Sequence, residues 1–420
     1  MQSIEKKRIF LSSPHMSDTH MEKYYIEDAF QKNFIAPLGE NVTAFEQEFS
    51  KKVEVVDAAA LSAGTAAIHM AIKLLNIGKG DIVFCPTLTF SATVNPICYE
   101  NAVPVFIDSD KETWNIDPIA LKRGFEKYQA LGKLPKAVIV VHLYGKAANL
   151  DEILPICRNY DVPVIEDAAE SLGTIYTGNI TEGKPRYTGT FGDYGIYSFN
   201  GNKIITTSGG GMLVCNLADK EQAREKLAKV RFWSTQSREP YRYYQHKEIG
   251  YNYRMSNIIA GIGRGQLTVL EERIKQKQAI YQYYQKALNT QTEDAILTMM
   301  PITEKENSNC WLSCALLKKE CKIKPLDIIE TLEKENIESR HIWKPLHLQP
   351  VFKECDFISV NKDGELVGKE QLSIMDSETG ADTSIAGDIF YRGICLPSDT
   401  KNTLEDMERI CDILQGILKK

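Results

Sequence analysis

Residues 197–212 have the sequence YSFNGNKIITTSGGGM, in which a single lysine, Lys203, lies between a polar turn and three glycines. An apolar run from Tyr194 to Phe199 leads into this stretch, and a second run from Met212 to Cys215 ends it. Short apolar runs that are bounded by turn residues are typical of buried strands. The sequence therefore predicts that Lys203 lies on a connection between two strands.

The composition is that of a soluble globular protein. The chain has 420 residues, of which 43% are hydrophobic, and this length favours two packed units in one subunit. Its net charge is −6, without a basic block, which argues against nucleic-acid or membrane partners. No signal peptide or membrane-spanning run is evident, so we expect a cytoplasmic protein. The ten cysteines form no CxxC pair and lie near no histidine cluster, so we expect no metal site.

Strand-like and helix-like segments alternate over the first half of the chain, which predicts a mostly parallel sheet covered by helices on both faces. The last third has the pattern of a smaller α+β unit. We therefore expect an α/β protein with a large domain at residues 1–255, including an amino-terminal helix, and a small domain at residues 256–420. The predicted strands before Lys203 and its flanking runs are 53–61, 81–85, 103–107, 137–142 and 163–165.

Lys203 suggests a covalent cofactor. Lysine amines form imines with carbonyl compounds, and pyridoxal phosphate (PLP) serves as an electron sink once it is held in this way. A lysine on a surface helix is most often a solvated charge, but Lys203 lies among small and polar residues between two strands. We interpret Lys203 as the residue that forms a Schiff base with PLP.

Two turns that follow predicted strands carry further candidate groups, because ligands gather at the carboxyl ends of parallel strands. Gly64 and Thr65 lie in the turn before a helix predicted at residues 66–75, whose free amides and dipole favour an anion; an ordinary capped helix start is the alternative. Glu166 and Asp167 follow the strand at 163–165. A buried carboxylate needs a partner, which for Asp167 is either the pyridinium nitrogen of PLP or the start of a helix.

Six short motifs follow one another along the chain: AGTA at 63–66, TFSAT at 89–93, EDAA at 166–169, SF followed by Lys203 at 198–203, GGGM at 209–212 and GYNYR at 250–254. Together they resemble the DegT-type nucleotide-sugar aminotransferases, which are PLP enzymes with the fold of aspartate aminotransferase. The likeness covers nearly the whole chain, from residue 35 to residue 398. Residues 198–212 are most similar to the branch that acts on UDP-4-keto-6-deoxy-N-acetylglucosamine in bacillosamine biosynthesis.

The resemblance implies a homodimer with shared active sites, in which each subunit has the PLP-dependent transferase fold type I and a seven-stranded type of sheet. Lys203 would bind the cofactor covalently, and Asp167 would hold its ring nitrogen. Phe90 would stack on the ring, and Glu170, where the family more often has histidine or glutamine, would lie near the ring hydroxyl. The residues that would bind the phosphate are Gly64, Thr65, Ala66, Ser198 and the partner subunit's Asn252.

The resemblance also implies an activity. The amino group of L-glutamate would pass to the C4 ketone of the UDP-linked sugar, with Lys203 as the general base and Asp167 supporting the cofactor as an electron sink. Lys344 and His347 are candidates for contacts with the sugar nucleotide, and a contact between the domains is the alternative for both.

Alternative functions stay open from the sequence. The substrate could be a GDP- or dTDP-linked keto sugar, or the chain could be a non-catalytic protein that binds PLP or a sugar nucleotide. A dehydratase relative is disfavoured because such proteins replace the lysine with histidine. A plain α/β protein without PLP would leave the six motifs unexplained. Residues 360–384 are predicted to form a long surface loop.

Overall fold

The computed structural model of the chain describes residues 6–292, 295–368 and 383–419. Most of the loop predicted at 360–384 therefore lies outside the described residues. No helix in the described ranges is both long and apolar enough to cross a bilayer.

Helices occur along the whole chain and begin with two short ones before the first strand. They are α1 (Met21–Gln31), α2 (Glu40–Lys52), α3 (Gly64–Leu74), α4 (Asn95–Tyr99), α5 (Pro118–Ala130), α6 (Leu150–Asn159), α7 (Lys220–Trp233), α8 (Asn257–Leu267), α9 (Leu270–Ala287), α10 (Pro325–Lys334), α11 (Ile385–Arg392) and α12 (Leu404–Leu418).

The strands alternate with helices up to residue 167, as the apolar runs predicted. They are β1 (Ala58–Leu61), β2 (Ile82–Pro86), β3 (Val103–Ile107), β4 (Ala137–Val141), β5 (Val164–Asp167), β6 (Ile175–Tyr176), β7 (Arg186–Tyr187), β8 (Tyr194–Ser198), β9 (Gly211–Cys215), β10 (Leu297–Met299), β11 (Glu306–Asn307), β12 (Ser313–Leu317), β13 (Arg340–His341), β14 (Asp356–Ile358) and β15 (Gly393–Leu396).

The first predicted strand was too long. Residues 53–57 do not belong to β1, because Val53 ends α2, where its N–H donates to the carbonyl of Phe49. Glu54 then has a positive φ of 60°, which breaks any extended run. The strand begins only at Ala58.

The large sheet has the order β1-β9-β8-β5-β4-β2-β3-β14. Every neighbouring pair from β8 to β14 is parallel, whereas β9 runs antiparallel to both β1 and β8. Helices α3 and α7 cover one face, and α5 and α6 cover the other. The fold is thus the predicted mostly parallel α/β sheet with helices on both sides.

Strand β14 adds an eighth strand to this sheet. Its residues, Asp356–Ile358, lie in the range that we assigned to the small domain, yet they pair in parallel with β3. Four other strands of that range form a smaller antiparallel sheet with the order β10-β12-β15-β13, and β11 pairs with β6 in a third sheet with the order β11-β6-β7. Helices α9, α10 and α12 pack on that sheet through Tyr281, Ile328 and Ile410.

Glu166 links the centre of the large sheet to the loop that precedes β8. Its side chain is fully buried. It accepts hydrogen bonds from His142 Nε2 at 2.9 Å and from the backbone N–H groups of Gly189, Phe191 and Gly192 at 2.6–2.8 Å. Burial by itself would raise the pKa of Glu166, but these hydrogen bonds outweigh it and lower the pKa below its usual value. The carboxylate therefore stays charged and holds this loop against β5.

We predict that Glu166→Ala lowers the free energy of unfolding by about 3 kcal/mol or more, because it leaves three buried N–H groups without an acceptor. Because the folded-state pKa of Glu166 is lowered, its contribution is complete above the usual pKa of a glutamate and disappears as the pH falls through the folded-state value. The difference between wild type and variant should therefore narrow in acid. Urea unfolding between pH 3 and pH 7 measures both effects.

Glu330→Ala provides the matched control, since Glu330 is exposed in the middle of α10. It should change the free energy of unfolding by less than about 0.5 kcal/mol. Equal losses in the two variants would contradict a structural role for Glu166.

Candidate active site

The predicted site residues meet at one edge of the large sheet. Asp167 is the last residue of β5 and pairs in register with Val141 at the end of β4. Ser198, the last residue of β8, pairs with Gly211 at the start of β9, and Gly211 also pairs with Leu61 at the end of β1. The carboxyl ends of β1, β4, β5 and β8 thus meet at one edge, as expected for a sheet of this type.

A cavity of about 380 Å³ opens at this edge. This volume suits a small organic cofactor or ligand. Its walls combine a lysine, two acidic side chains, small residues and three large aromatic side chains. The residues predicted for the site that line it are Gly64, Thr65, Phe90, Asp167, Glu170, Ser198 and Lys203.

Lys203 points into this cavity between an acid and an aromatic ring. Its Nζ lies 3.1 Å from Glu170 Oε1 and 4.1 Å from the centroid of the Trp311 ring. The side chain of Lys203 is only 12% exposed. The indole Nε1 of Trp311 in turn donates to the carbonyl of Asn202 at 2.7 Å, next to Lys203 in the chain. The amine is therefore held by a carboxylate and by a cation–π contact.

Glu170 is fixed from a second side. Its Oε2 accepts a 2.7 Å hydrogen bond from the backbone N–H of Tyr144. Burial raises the pKa of Glu170, while the charge of Lys203 and the N–H of Tyr144 act against that rise. Glu170 is thus held between the N–H of Tyr144 and the amine of Lys203.

Asp167 is buried at the base of the cavity. Its Oδ2 accepts from the hydroxyl of Thr93 at 2.8 Å, and its Oδ1 accepts from the N–H of Ala169. Burial raises the pKa of Asp167, and the Thr93 hydroxyl is the main opposing influence. No helix follows β5 in the element order, so Asp167 does not cap a helix. A buried carboxylate of this kind suits a cationic or protonated ligand atom.

The start of α3 forms an anion cradle. The helix begins at Gly64, and no side chain caps it, so its first N–H groups are available to a ligand. A Cβ on Gly211 would lie 2.4 Å from the carbonyl carbon of Ala63 and 2.5 Å from the nitrogen of Gly64. Only glycine therefore allows β9 to approach this turn. The turn and Ser198 fit the phosphate group of PLP, and Lys203 fits its carbonyl group.

The predicted ring-stacking residue, Phe90, forms part of the rim. Its side chain is 55% exposed, and its ring lies 5.4 Å from that of Trp343. Trp343 in turn packs against Tyr144 at 5.0 Å. An apolar aromatic face thus borders the opening, where it can cover a flat ligand.

Four predicted residues lie outside the lining of this cavity. Ala66 is buried in the first turn of α3. Asn252 is exposed on the surface of this chain, and Lys344 is also exposed. His347 stacks on Phe357 with ring centroids 3.8 Å apart, and its Nδ1 lies 2.6 Å from the hydroxyl of Thr87.

Trp311, Trp343 and Tyr144 are not among the residues that the sequence predicts for the site. Tyr144 follows β4 and has a positive φ of 53°. No periodic pattern marks these three side chains, because each lies on a different connection; Trp311 and Trp343 line the cavity, and Tyr144 packs behind Trp343. Within the described ranges, no group of three or more histidine, cysteine or acidic side chains is arranged to hold a metal ion.

Comparison with known families and proteins gives one consistent result. Residues 17–362 match the family model described as the DegT/DnrJ/EryC1/StrS aminotransferase family. The chain is 49% identical over 408 residues to EpsN of Bacillus subtilis (strain 168), whose name assigns it to the pyridoxal phosphate-dependent aminotransferases; the match covers 97% of this chain and 95% of EpsN. It is also 33% identical to GDP-perosamine synthase of Escherichia coli O157:H7, over 94% of each chain.

A solved structure has the same fold. The crystal structure of a DegT DnrJ EryC1 StrS aminotransferase from Brucella abortus superposes with a TM-score of 0.80 and covers 96% of both chains. Its sequence identity is 24%, so this likeness concerns the fold alone.

We predict that Gly211→Ala weakens PLP binding by about tenfold or more, because the added methyl group displaces the backbone at Ala63 and Gly64, where the phosphate cradle begins. Absorbance titration of the cofactor-free protein with PLP measures the affinity, and circular dichroism checks that the variant is folded.

Gly78→Ala is the matched control. A Cβ at Gly78 meets no atom within 4 Å, so this variant should keep the affinity of the wild type. If Gly211→Ala folds and binds PLP as tightly as Gly78→Ala, the cradle is not the phosphate site.

Proposed function

The chain belongs to the DegT/DnrJ/EryC1/StrS aminotransferase family and is a PLP-dependent sugar-nucleotide aminotransferase; from this premise we propose that it moves the amino group of L-glutamate to the C4 ketone of UDP-4-keto-6-deoxy-N-acetylglucosamine. The observation that carries the proposal is the position of Lys203 Nζ, 3.1 Å from Glu170 Oε1 in a cavity that also holds Asp167. The motifs at 198–212 favour the UDP-linked sugar.

The residues of the chain divide the chemistry among them. PLP, when bound, supplies an electron sink for the carbon that gains or loses the amino group. Lys203 Nζ is the group that takes the proton from that carbon and returns it, since it is a mobile amine inside a largely enclosed cavity. Glu170 holds Lys203 Nζ in place and can share its proton. Asp167 would hold a proton on the ring nitrogen, with Thr93 fixing the orientation of its carboxylate.

The remaining groups would bind and cover the cofactor. The first turn of α3, with Gly64, Thr65 and Ala66, and the hydroxyl of Ser198 would hold the phosphate. Phe90 would cover the ring and exclude water from it. Lys344 and His347 remain candidates for contacts with the sugar nucleotide, although His347 already stacks on Phe357.

A GDP-linked 4-keto sugar is the second candidate substrate. GDP-perosamine synthases are among the relatives, at 32–33% identity over at least 94% of this chain. The reaction at the cofactor would be the same, and only the contacts with the nucleotide would differ. Single-turnover assays with UDP-, GDP- and dTDP-linked 4-keto-6-deoxy sugars separate the candidates. Turnover of the GDP-linked sugar alone would overturn the UDP proposal and keep the family assignment.

We predict that Lys203→Ala lowers the rate of 2-oxoglutarate formation from L-glutamate by about 10³-fold or more, because the variant lacks the amine that would take the proton from the reacting carbon and return it. The measurement combines the absorbance change of the bound cofactor with a stoichiometric assay of 2-oxoglutarate. Lys184→Ala, which removes an exposed lysine, should keep the full rate. Retention of the rate in Lys203→Ala would contradict the role assigned to this lysine.

A homodimer with shared sites is the second part of the proposal. Tyr251 and Tyr253 stack on each other at 5.0 Å, and both rings lie against the buried His69. Asn252 lies between these two tyrosines in the sequence, and it is exposed. Leu38, which forms a β-bridge to Ser256 close by, is also exposed, as is Ile249. Exposed apolar side chains around a polar one are typical of an interface between subunits.

Mixed dimers test whether Asn252 serves the partner's site. Neither Lys203→Ala nor Asn252→Ala alone should be active. If Asn252 acts in the partner, refolding equal amounts of both variants together restores about a quarter of the wild-type sites, because half of the dimers are mixed and each has one intact site. Absence of any recovery, with mixed dimers shown by mass spectrometry, would place Asn252 in its own subunit's site.

A further inference from the structure

A second, much smaller cavity lies behind the lysine connection, between the amino-terminal segment and α9. Its volume is about 10 Å³, which is the space of roughly one water molecule or one small ion. Residues from both regions of the chain enclose it. They include Ser12, Ser13, His15, Gln266, Arg273 and Lys277.

Arg273 brings an unsatisfied cationic donor to this cavity. The residue is 4% exposed, and its two terminal nitrogens donate to Gln276 Oε1 and to the carbonyl of Met16. Its buried Nε has no hydrogen-bond partner among the described residues. Among the described residues, the carboxylate that lies within 4 Å of its guanidinium is that of Glu272, which is 3.8 Å away and mostly exposed. A buried guanidinium without a close counter-charge is costly.

Lys277, one turn further along α9, adds a second buried cation. It is 3% exposed, and its Nζ donates to Ser12 Oγ at 3.1 Å and to the carbonyl of Ser398 at 2.5 Å. An ammonium group has three N–H donors, so one remains. Burial lowers the pKa of Lys277 to about 8, with Asp399 acting against that shift. The group therefore remains mainly charged at neutral pH.

The carboxylates of Asp399 and Glu22 accept hydrogen bonds from groups other than Arg273 Nε and Lys277 Nζ. Asp399 accepts from the N–H groups of Ser13 and Lys401. Glu22 accepts from Ser17 and from Gln266, which lies between Glu22 and the cavity. Burial, followed by the positive charges of Arg273 and Lys401, lowers the pKa of His15. Arg273, Lys277 and Lys401 thus bring positive charge to the cavity, and the carboxylate of Asp399 opposes it.

We propose that this cavity binds a single small monovalent anion, with chloride as the physiological ligand. The free Nε–H of Arg273 and the third N–H of Lys277 would donate to it. The volume excludes phosphate and carboxylate ligands, and this site is distinct from the phosphate cradle at α3. Because Ser12 Oγ also donates to the carbonyl of Asn202 at 3.0 Å, the ion would fasten the amino-terminal segment to the connection that carries Lys203.

Two measurements on the wild-type protein test the site. In crystals soaked in sodium bromide, we expect an anomalous peak between Arg273 and Lys277. In thermal unfolding at constant ionic strength, sodium chloride should raise Tm by about 2 °C or more relative to sodium gluconate, whose anion is too large for the cavity. A cavity that holds only water gives no bromide peak and equal Tm values in the two salts, and this result overturns the proposal.

Two variants on the same helix make the test specific. Arg273→Gln removes the guanidinium and should abolish the difference in Tm between the two salts. Lys275→Gln removes an exposed charge on α9 and should leave that difference unchanged. A chloride effect of wild-type size in Arg273→Gln would show that the anion binds elsewhere and would overturn the proposal. If Arg273→Gln does not fold, the bromide experiment on the wild-type protein decides.

Discussion

Two consecutive buried carboxylates at the end of β5 are the constraint on which the site depends. Because successive side chains of a strand point to opposite faces, Glu166 and Asp167 act on different sides of the sheet. Glu166 binds His142 and the loop before β8, whereas Asp167 faces the cavity and binds Thr93. One acid thus fixes the strand that leads towards Lys203, and the other is left for a ligand.

The connection that carries Lys203 is held from the second half of the chain as well. Asn309 donates to the carbonyl groups of Glu170 and Leu172, and Trp311 donates to that of Asn202. Gly145 makes this possible, because a Cβ there would lie 2.0 Å from Asn309 Oδ1. These contacts join residues on both sides of the cavity to the segment around Asn309 and Trp311.

The lining of the cavity and its rim come from different parts of the fold. Asp167, Ser198 and the first turn of α3 lie at strand ends or directly after one, whereas Lys203 and Glu170 lie on the connections that follow β8 and β5. The aromatic rim, with Phe90 and Trp343, is partly exposed and comes from connections. Connections can change in sequence without disturbing the sheet.

Local patterns in the sequence determined most of the strands, the helices and the chemical core of the site. β3 matches the prediction residue for residue, and Gly64, Asp167, Ser198 and Lys203 lie together because each follows or ends a strand. These features depend on short apolar runs and on neighbours in the chain. Tertiary structure alone decided that β14 joins the large sheet and that Trp311 lies under the amine of Lys203. It also decided that His347 stacks on Phe357. The pairing of β14 with β3 and the contact of Trp311 with Lys203 join segments more than 100 residues apart. The stacking of His347 on Phe357 depends on how the connection between them packs. No local periodicity in the sequence encodes any of these contacts.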